Sequence, residues 1–188
     1  DEHYNVISAF IKSIRGSDPQ AAVYYLARMI EGGEDVKFIA RRLIISAAED
    51  IGLANPNALI LANESFSAVE RVGWPESRII LSQCTIYLAT SPKSNSAYTA
   101  IGKAQKLVQQ TGNLEVPDNL KNASSALAKD LGHGKGYLYP HDNPGGFVSQ
   151  EYLPKHIQGS VLWSPAANPK EQQISAEQKA MWKDKYEG

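Results

Sequence analysis

The sequence predicts an all-α fold: a multi-helix bundle followed by a Gly/Tyr-rich irregular C-terminal region. Through the first two-thirds of the chain, apolar residues recur every three or four positions in one segment after another, the spacing that places them on one side of a helix. Glycines and Asp-Pro or Asn-Pro steps separate those segments, and these are the residues that stop and start helices. Past Gly112 the period is lost, and Gly, Pro, Tyr and His take over. No fixed repeat relates the segments, so the pattern is that of a bundle and not a solenoid.

Residues 3–14 place Tyr4, Ile7, Phe10 or Ile11, and Ile14 at helical spacing, and Gly16 ends the run. Asp18 then supplies an N-cap and Pro19 a first-turn residue. Ala22, Tyr25 or Leu26, and Met29 follow, with Gly32-Gly33 as the stop. A third segment opens at Asp35, whose carboxylate caps free backbone N–H groups; it carries Phe38 or Ile39, Leu43 and Ala47 and closes at Gly52. Asn55-Pro56 repeats the cap-plus-proline signal ahead of Ala58, Leu61 or Ala62, Ser65 and Val69, and Gly73 ends that stripe. Pro75-Glu76 opens a fifth segment, with Ile79, Ile80, Cys84, Tyr87 and Leu88 toward the core. A sixth starts between Ser94 and Ser96 and turns Ala97, Ile101, Ala104 and Val108 to one side before Gly112. Helices of this length joined by short turns describe a compact antiparallel array.

Val116-Pro117 breaks the chain, and residues 122–131 read as one more helix, stopped by Gly132. Residues 132–154 show no strong period. A loop this long must be pinned by its own side chains, and Tyr137, Tyr139, Phe147 and Tyr152 are available for that. Val161-Leu162-Trp163 reads as a short extended piece, and residues 171–186 as a polar terminal helix anchored by Ile174 and Trp182.

A chain of 188 residues buries roughly 70% of its unfolded surface, so it needs no disulfide or metal to hold a core. Lys and Arg number 19 against 20 Asp and Glu, a net charge of -1, which excludes a strongly basic nucleic-acid coat but not a local basic patch. Cys84 is the single cysteine, so neither an internal disulfide nor a multi-Cys zinc site is possible, and a reducing, cytoplasmic setting is expected. No apolar run approaches membrane-spanning length, and no membrane partner is expected. The chain opens on a polar segment at Asp1 with no starting Met, so we expect no signal peptide, and a processed protein or a piece of a larger one.

Few residues point to catalysis. Gly134, Lys135 and Gly136 resemble a phosphate cradle, but the P-loop spacing is absent and a helix, not a strand, precedes them. His133, His141 and Asp142 are metal-ligating types, yet they lack helical ligand spacing. A free-standing enzyme built on that loop is therefore the weakest reading. Cys84 lies on the apolar side of its segment and reads as a small hydrophobe. Glu49 and Asp50 are adjacent and would point about 100° apart on a helix, a poor acid/base pair; a helix-terminal charge cluster is expected there. His3 and His156 read as surface or cap residues. No catalytic, cofactor-binding or metal residue is expected in this chain.

Lys37, Arg41 and Arg42 form a small basic patch and are the candidate DNA contacts; the competing reading is surface ion pairing with Glu31, Glu34 or Glu49. Tyr24-Tyr25 and Ile44-Ile45 put bulky residues at adjacent positions, around more than one side of their helices. Such width implies a buried helix or a second contact surface, so Tyr24, Tyr25, Ile44 and Ile45 are the candidate oligomer interface.

Longer strings carry a resemblance. His3-Tyr4, Ile7 to Phe10, Arg15 to Pro19, Tyr25 to Met29, Gly33 to Asp35, Phe38 to Leu43, Ala48 to Ala54 and Pro92 to Asn95 resemble the segment following the ATPase core in the replication-associated recombination protein A family, also called RarA or MgsA, which includes the Werner-helicase-interacting protein. Gly134 to Tyr137, Tyr139, His141-Asp142, Gly145 to Phe147 and Tyr152 to Pro154 match as well. The resemblance covers residues 1–160.

The resemblance implies the C-terminal part of a clamp-loader-like AAA+ ATPase that maintains replication forks and serves DNA recombination and repair. It implies that ATP and Mg bind an upstream portion, whose Walker and arginine-finger motifs are not in this sequence. It further implies an all-helical, collar-like homotetramerisation domain, DNA binding by the whole protein, single-strand-binding protein as a partner, and a cytoplasmic, nucleoid-associated location. Residues 1–17 would be the end of the ATPase lid, 18–165 the oligomerisation domain and 166–188 a polar tail helix.

Overall fold

The computed structural model describes residues 1–187 and is all-α: no described residue is in a strand. The helices are α1 (Glu2–Arg15), α2 (Pro19–Glu31), α3 (Val36–Ser46), α4 (Asn57–Val72), α5 (Ser77–Thr90), α6 (Ser96–Thr111), α7 (Ala126–Asp130) and α8 (Pro169–Trp182). Gly188, the last residue of the expected tail, lies outside the described residues. The chain packs as two compact units: Asp1–Ala100 with Pro165–Gln173, and Ile101–Ser164 with the chain from Ile174 onward.

The first unit is built on α1 to α5. Asp18 Oδ1 accepts from Ala21 N at 3.0 Å and Asp35 Oδ1 from Lys37 N at 2.9 Å, so both aspartates cap the helices they precede. The core comprises Phe10 and Ile14 of α1, Leu26 and Met29 of α2, Ile39 and Leu43 of α3, Ala58, Ala62 and Val69 of α4, and Leu81, Cys84 and Leu88 of α5. Burial pushes the Cys84 thiol up, which keeps it an unreactive hydrophobe.

Several expectations are corrected. Tyr4 and Ile79 lie outside the core, 70% and 56% exposed; Ile79 faces away from the buried Leu81, Cys84 and Leu88 of its own helix. Asn55 does not cap α4; its amide donates instead to Tyr87 Oη at 2.8 Å. Past Ser46, α3 widens into a π-turn (Ala47–Ile51). There Glu49 and Asp50 form the expected helix-terminal charge cluster, around Arg15, with Asp50 buried. On α6 only Ser96 is buried, and Ile101 and Val108, which share a side as their spacing predicts, are exposed.

In the second unit the helix expected over residues 122–131 shrinks to α7, because Ser125 Oγ caps it at Ala128 N (3.0 Å) only just before Gly132 ends it. Trp182 anchors α8 as expected: Phe147, Tyr152 and Tyr186 meet it edge-on with centroids 5.0, 6.3 and 5.8 Å away. Lys185 Nζ sits 4.5 Å over the Trp182 ring and pairs with Glu151 Oε2 at 2.6 Å. Phe147 and Tyr152 of the glycine-rich region thus pack on α8, whereas Tyr137 and Tyr139, also expected as anchors, are 46% and 50% exposed.

Candidate interaction surfaces

Helix α3 presents the three candidate cations. Lys37 and Arg41 are one turn apart and therefore neighbours on one face. Lys37 Nζ reaches Glu70 Oε2 of α4 at only 3.8 Å, and the Arg41 guanidinium lies 5.6 Å from the centre of the Phe66 ring. Arg42 Nε is shielded from solvent without a hydrogen-bond acceptor. Of the three expected partners, Glu34 lies 3.5 Å from His3 and Glu49 pairs with Arg15 at 2.8 Å, while Glu31 makes no ion pair with these cations among the described residues. Positive charge on this face is only loosely neutralised.

The bulky doublets divide. Tyr25 and Ile44 pack against the core, while Tyr24 and Ile45 are 55% and 43% exposed. The width of both stripes thus has one inner and one outer member. Arg28 Nη1 donates to Tyr24 Oη at 3.1 Å, which fixes that ring on the outside of α2. The larger exposed apolar area was not foreseen. It lies on the α4–α5 hairpin, where Leu59, Ile60, Val72, Trp74, Ile79 and Ile86 are all exposed. Helical spacing alone marks the buried stripe; it does not say that the opposite side is apolar too.

A polar junction inside the first unit also escaped the sequence reading. Arg15 Nε donates to Asp50 Oδ1 at 2.9 Å and its Nη2 to Glu49 Oε2 at 2.8 Å, and hydrogen bonding to Asp50 holds the guanidinium proton more tightly than usual. Ser94 N donates to the Asp50 carbonyl at 2.8 Å. Lys93 Nζ donates to Ser17 Oγ (3.0 Å), Ala89 O (3.0 Å) and Ser91 O (2.5 Å); burial lowers its pKa, with Asp50 opposing. Ser96 Oγ and Asn168 Nδ2 donate to the fully buried Glu171. Burial raises the Glu171 carboxyl, but hydrogen bonds from Ser96, Ser94 and Asn168 and one with the Ala166 backbone outweigh it and hold it below the usual range. Asn168 Oδ1 accepts from Glu171 N at 2.9 Å, the first half of a capping box, and the Asn-x-x-Glu spacing was its sequence signal. These side chains all serve one another or the backbone, and so the junction is structural.

The glycine-rich loop holds no metal cluster: among the described residues no three His, Cys, Asp or Glu side chains gather. No described helix is long and apolar enough to cross a membrane.

Comparison with known proteins fits this geometry. Residues 16–182 match the family described as MgsA AAA+ ATPase C terminal. Replication-associated recombination protein A of Bacillus subtilis is 48% identical over 165 residues, 88% of this chain and 39% of that protein. Its Escherichia coli K12 counterpart is 39% identical over 166 residues, 88% of this chain and 37% of that protein. The ATPase WRNIP1 of Dictyostelium discoideum is 39% identical over 164 residues, covering 87% and 19%. The chain therefore spans well under half the length of these relatives. It belongs to the family of MgsA-type AAA+ ATPase C-terminal domains.

Proposed function

We propose that this chain is a non-catalytic, self-associating segment that gathers copies of an AAA+ ATPase acting in replication-associated recombination and repair. Support comes from the family and from one observation, the exposed apolar hairpin of α4 and α5. Monomeric proteins rarely leave so many large apolar side chains uncovered on adjoining elements. A second copy covers them, and Tyr24 and Ile45 extend the apolar surface available to a homotetramer, while Tyr25 and Ile44 support those two residues from the core side. In the whole protein, ATP and Mg bind outside this chain, residues 1–17 form the exit from the ATPase lid, 18–165 the oligomerisation domain and 166–188 its tail. DNA and single-strand-binding protein are partners of that whole protein, at the nucleoid in the cytoplasm. Multi-angle light scattering tests the reading: a mass that rises from one chain toward four between nanomolar and micromolar concentration supports it, and a concentration-independent monomer defeats it.

A second reading has an observation of its own. Among the described residues Lys37, Arg41 and Arg42 make one ion pair, Lys37 with Glu70 at 3.8 Å, which leaves the charge of Arg41 above all available to phosphates, with Arg42 a partly shielded neighbour. It predicts DNA binding that weakens with salt and is lost in the Arg41→Ala/Arg42→Ala variant; binding unchanged by the double substitution removes it.

A further inference from the structure

We propose that Tyr137 and Tyr139, with Lys135 beside them, form a stacking site for single-stranded nucleic acid. This site is distinct from both surfaces above. Its foundation is Gln150. Gln150 Oε1 accepts from Leu138 N at 3.2 Å, and Gln150 Nε2 donates to Leu138 O at 2.6 Å. The side-chain amide thus pairs with Leu138 as a neighbouring strand would, and keeps the chain extended there. Tyr139 continues it at φ -77 and ψ 113. Both ends are tied: Tyr137 N donates to Gly134 O at 3.4 Å, and Tyr139 O accepts from Asp142 N at 3.1 Å and Asn143 Nδ2 at 3.0 Å.

Alternate residues of an extended segment stand on the same side, about 6.6 Å apart. Tyr137 and Tyr139, 46% and 50% exposed, therefore share one side and Leu138 takes the other. That separation is close to twice the stacking rise of about 3.4 Å per base, so one flat base fits between the two rings. Tyr137 touches no ring among the described residues, and the ring neighbour of Tyr139 is His141, at 5.3 Å and 49°. Two exposed π-faces side by side suit a base better than a protein's apolar side chain. Lys135 is exposed, has no carboxylate partner among the described residues, and lies two residues ahead of Tyr137, within reach of a backbone phosphate. Asp142 on the same loop opposes phosphate, so stacking outweighs charge here. Because the loop is already held, little order is lost on binding.

The test is fluorescence anisotropy of labelled oligo(dT) and oligo(U), each about ten nucleotides long, with the whole chain. Tyr137→Ala and Tyr139→Ala are each expected to weaken binding by about fivefold or more, whereas Tyr137→Phe keeps it within about twofold because the π-face remains. The slope of log affinity against log salt stays the same in the tyrosine variants and shallows by about 0.7 in Lys135→Ala. Unchanged urea midpoints show that the variants fold. Tighter binding of oligo(dT) assigns the site to DNA, and of oligo(U) to RNA; either supports the proposal. No binding of either oligomer overturns it. So does binding that survives both alanine substitutions, or that disappears in the Lys37→Ala/Arg41→Ala/Arg42→Ala variant while the tyrosine variants retain it.

Discussion

Arg15, on the last turn of α1, reaches across the fold to Asp50, Nε to Oδ1 at 2.9 Å, and Asp50 is only 6% exposed. The other carboxylate oxygen, Oδ2, has no hydrogen-bond partner among the described residues. Arg15 is therefore the main compensation for a buried charge. Removing it in Arg15→Ala strands that charge, and the expected cost is about 2 kcal/mol, the scale of one charge-assisted hydrogen bond. Asp50→Asn keeps an acceptor and removes the charge, so it should cost less. Urea unfolding of the two variants beside the parent chain checks the order.

Glu171 sets a pH dependence whose sign is fixed. Its folded-state pKa lies below the ordinary value, despite burial, because Ser96, Ser94 and Asn168 hold the charged form. The unfolded state takes up the proton first as pH falls. The contribution is thus complete above the ordinary glutamate range, about 4.3, and is lost as pH drops from there through the lower folded value. Glu171→Gln should flatten the acid limb of a stability-versus-pH curve measured by chemical unfolding. Glu171→Ala leaves buried donors unpaired and should cost about 3 kcal/mol at neutral pH.

Two glycines at positive φ separate conformational strain from steric contact. Gly33 has φ +83 with nothing within 4 Å of an added Cβ, whereas Gly52 has φ +49 and its Cβ would lie 2.9 Å from the Ser94 carbonyl oxygen. Gly33→Ala should cost about 1 kcal/mol, the left-handed penalty alone. Gly52→Ala adds a backbone clash at the polar junction and should exceed about 2 kcal/mol. Thermal denaturation of both variants distinguishes the two terms.

The parts of this fold that were legible in the sequence are those decided locally. Asp18 and Asp35 announced α2 and α3 because capping needs only the next two or three backbone N–H groups. Gly16, Gly73 and Gly112 each follow directly on the last residue of a helix. The α5 stripe was the exception: Ile79 and Leu81 are two residues apart and so lie on opposite sides of the helix, and it is Leu81 that is buried while Ile79 is 56% exposed. The junction was not readable. Glu171 is 75 residues from Ser96, and nothing near it in sequence says that a glutamate on a polar helix is fully buried. The α6 stripe marks another limit: Ile101 and Val108 share a face as the period requires, but a period shows which residues share a side and not whether anything covers it. Tyr137 and Tyr139 were marked by composition as loop anchors, and no local period announces that the Gln150 side chain pairs with the Leu138 backbone between them.

The hairpin of α4 and α5 gives the most direct test of self-association. Ile60 and Ile79 are 63% and 56% exposed, so a charge placed at either stays in water while the chain is alone. In an assembled state the same charge is buried without a partner, at several kcal/mol. Ile60→Glu and Ile79→Glu should therefore leave the unfolding midpoint of the monomer nearly unchanged, within about 0.5 kcal/mol as at other exposed sites, and shift sedimentation equilibrium toward a single chain. Tyr24→Glu on α2 tests whether that second exposed aromatic belongs to the same contact: a shift of equal size includes it, and an unaltered distribution confines the interface to the hairpin. If none of the three changes the mass distribution, the apolar hairpin is not where copies of this chain meet.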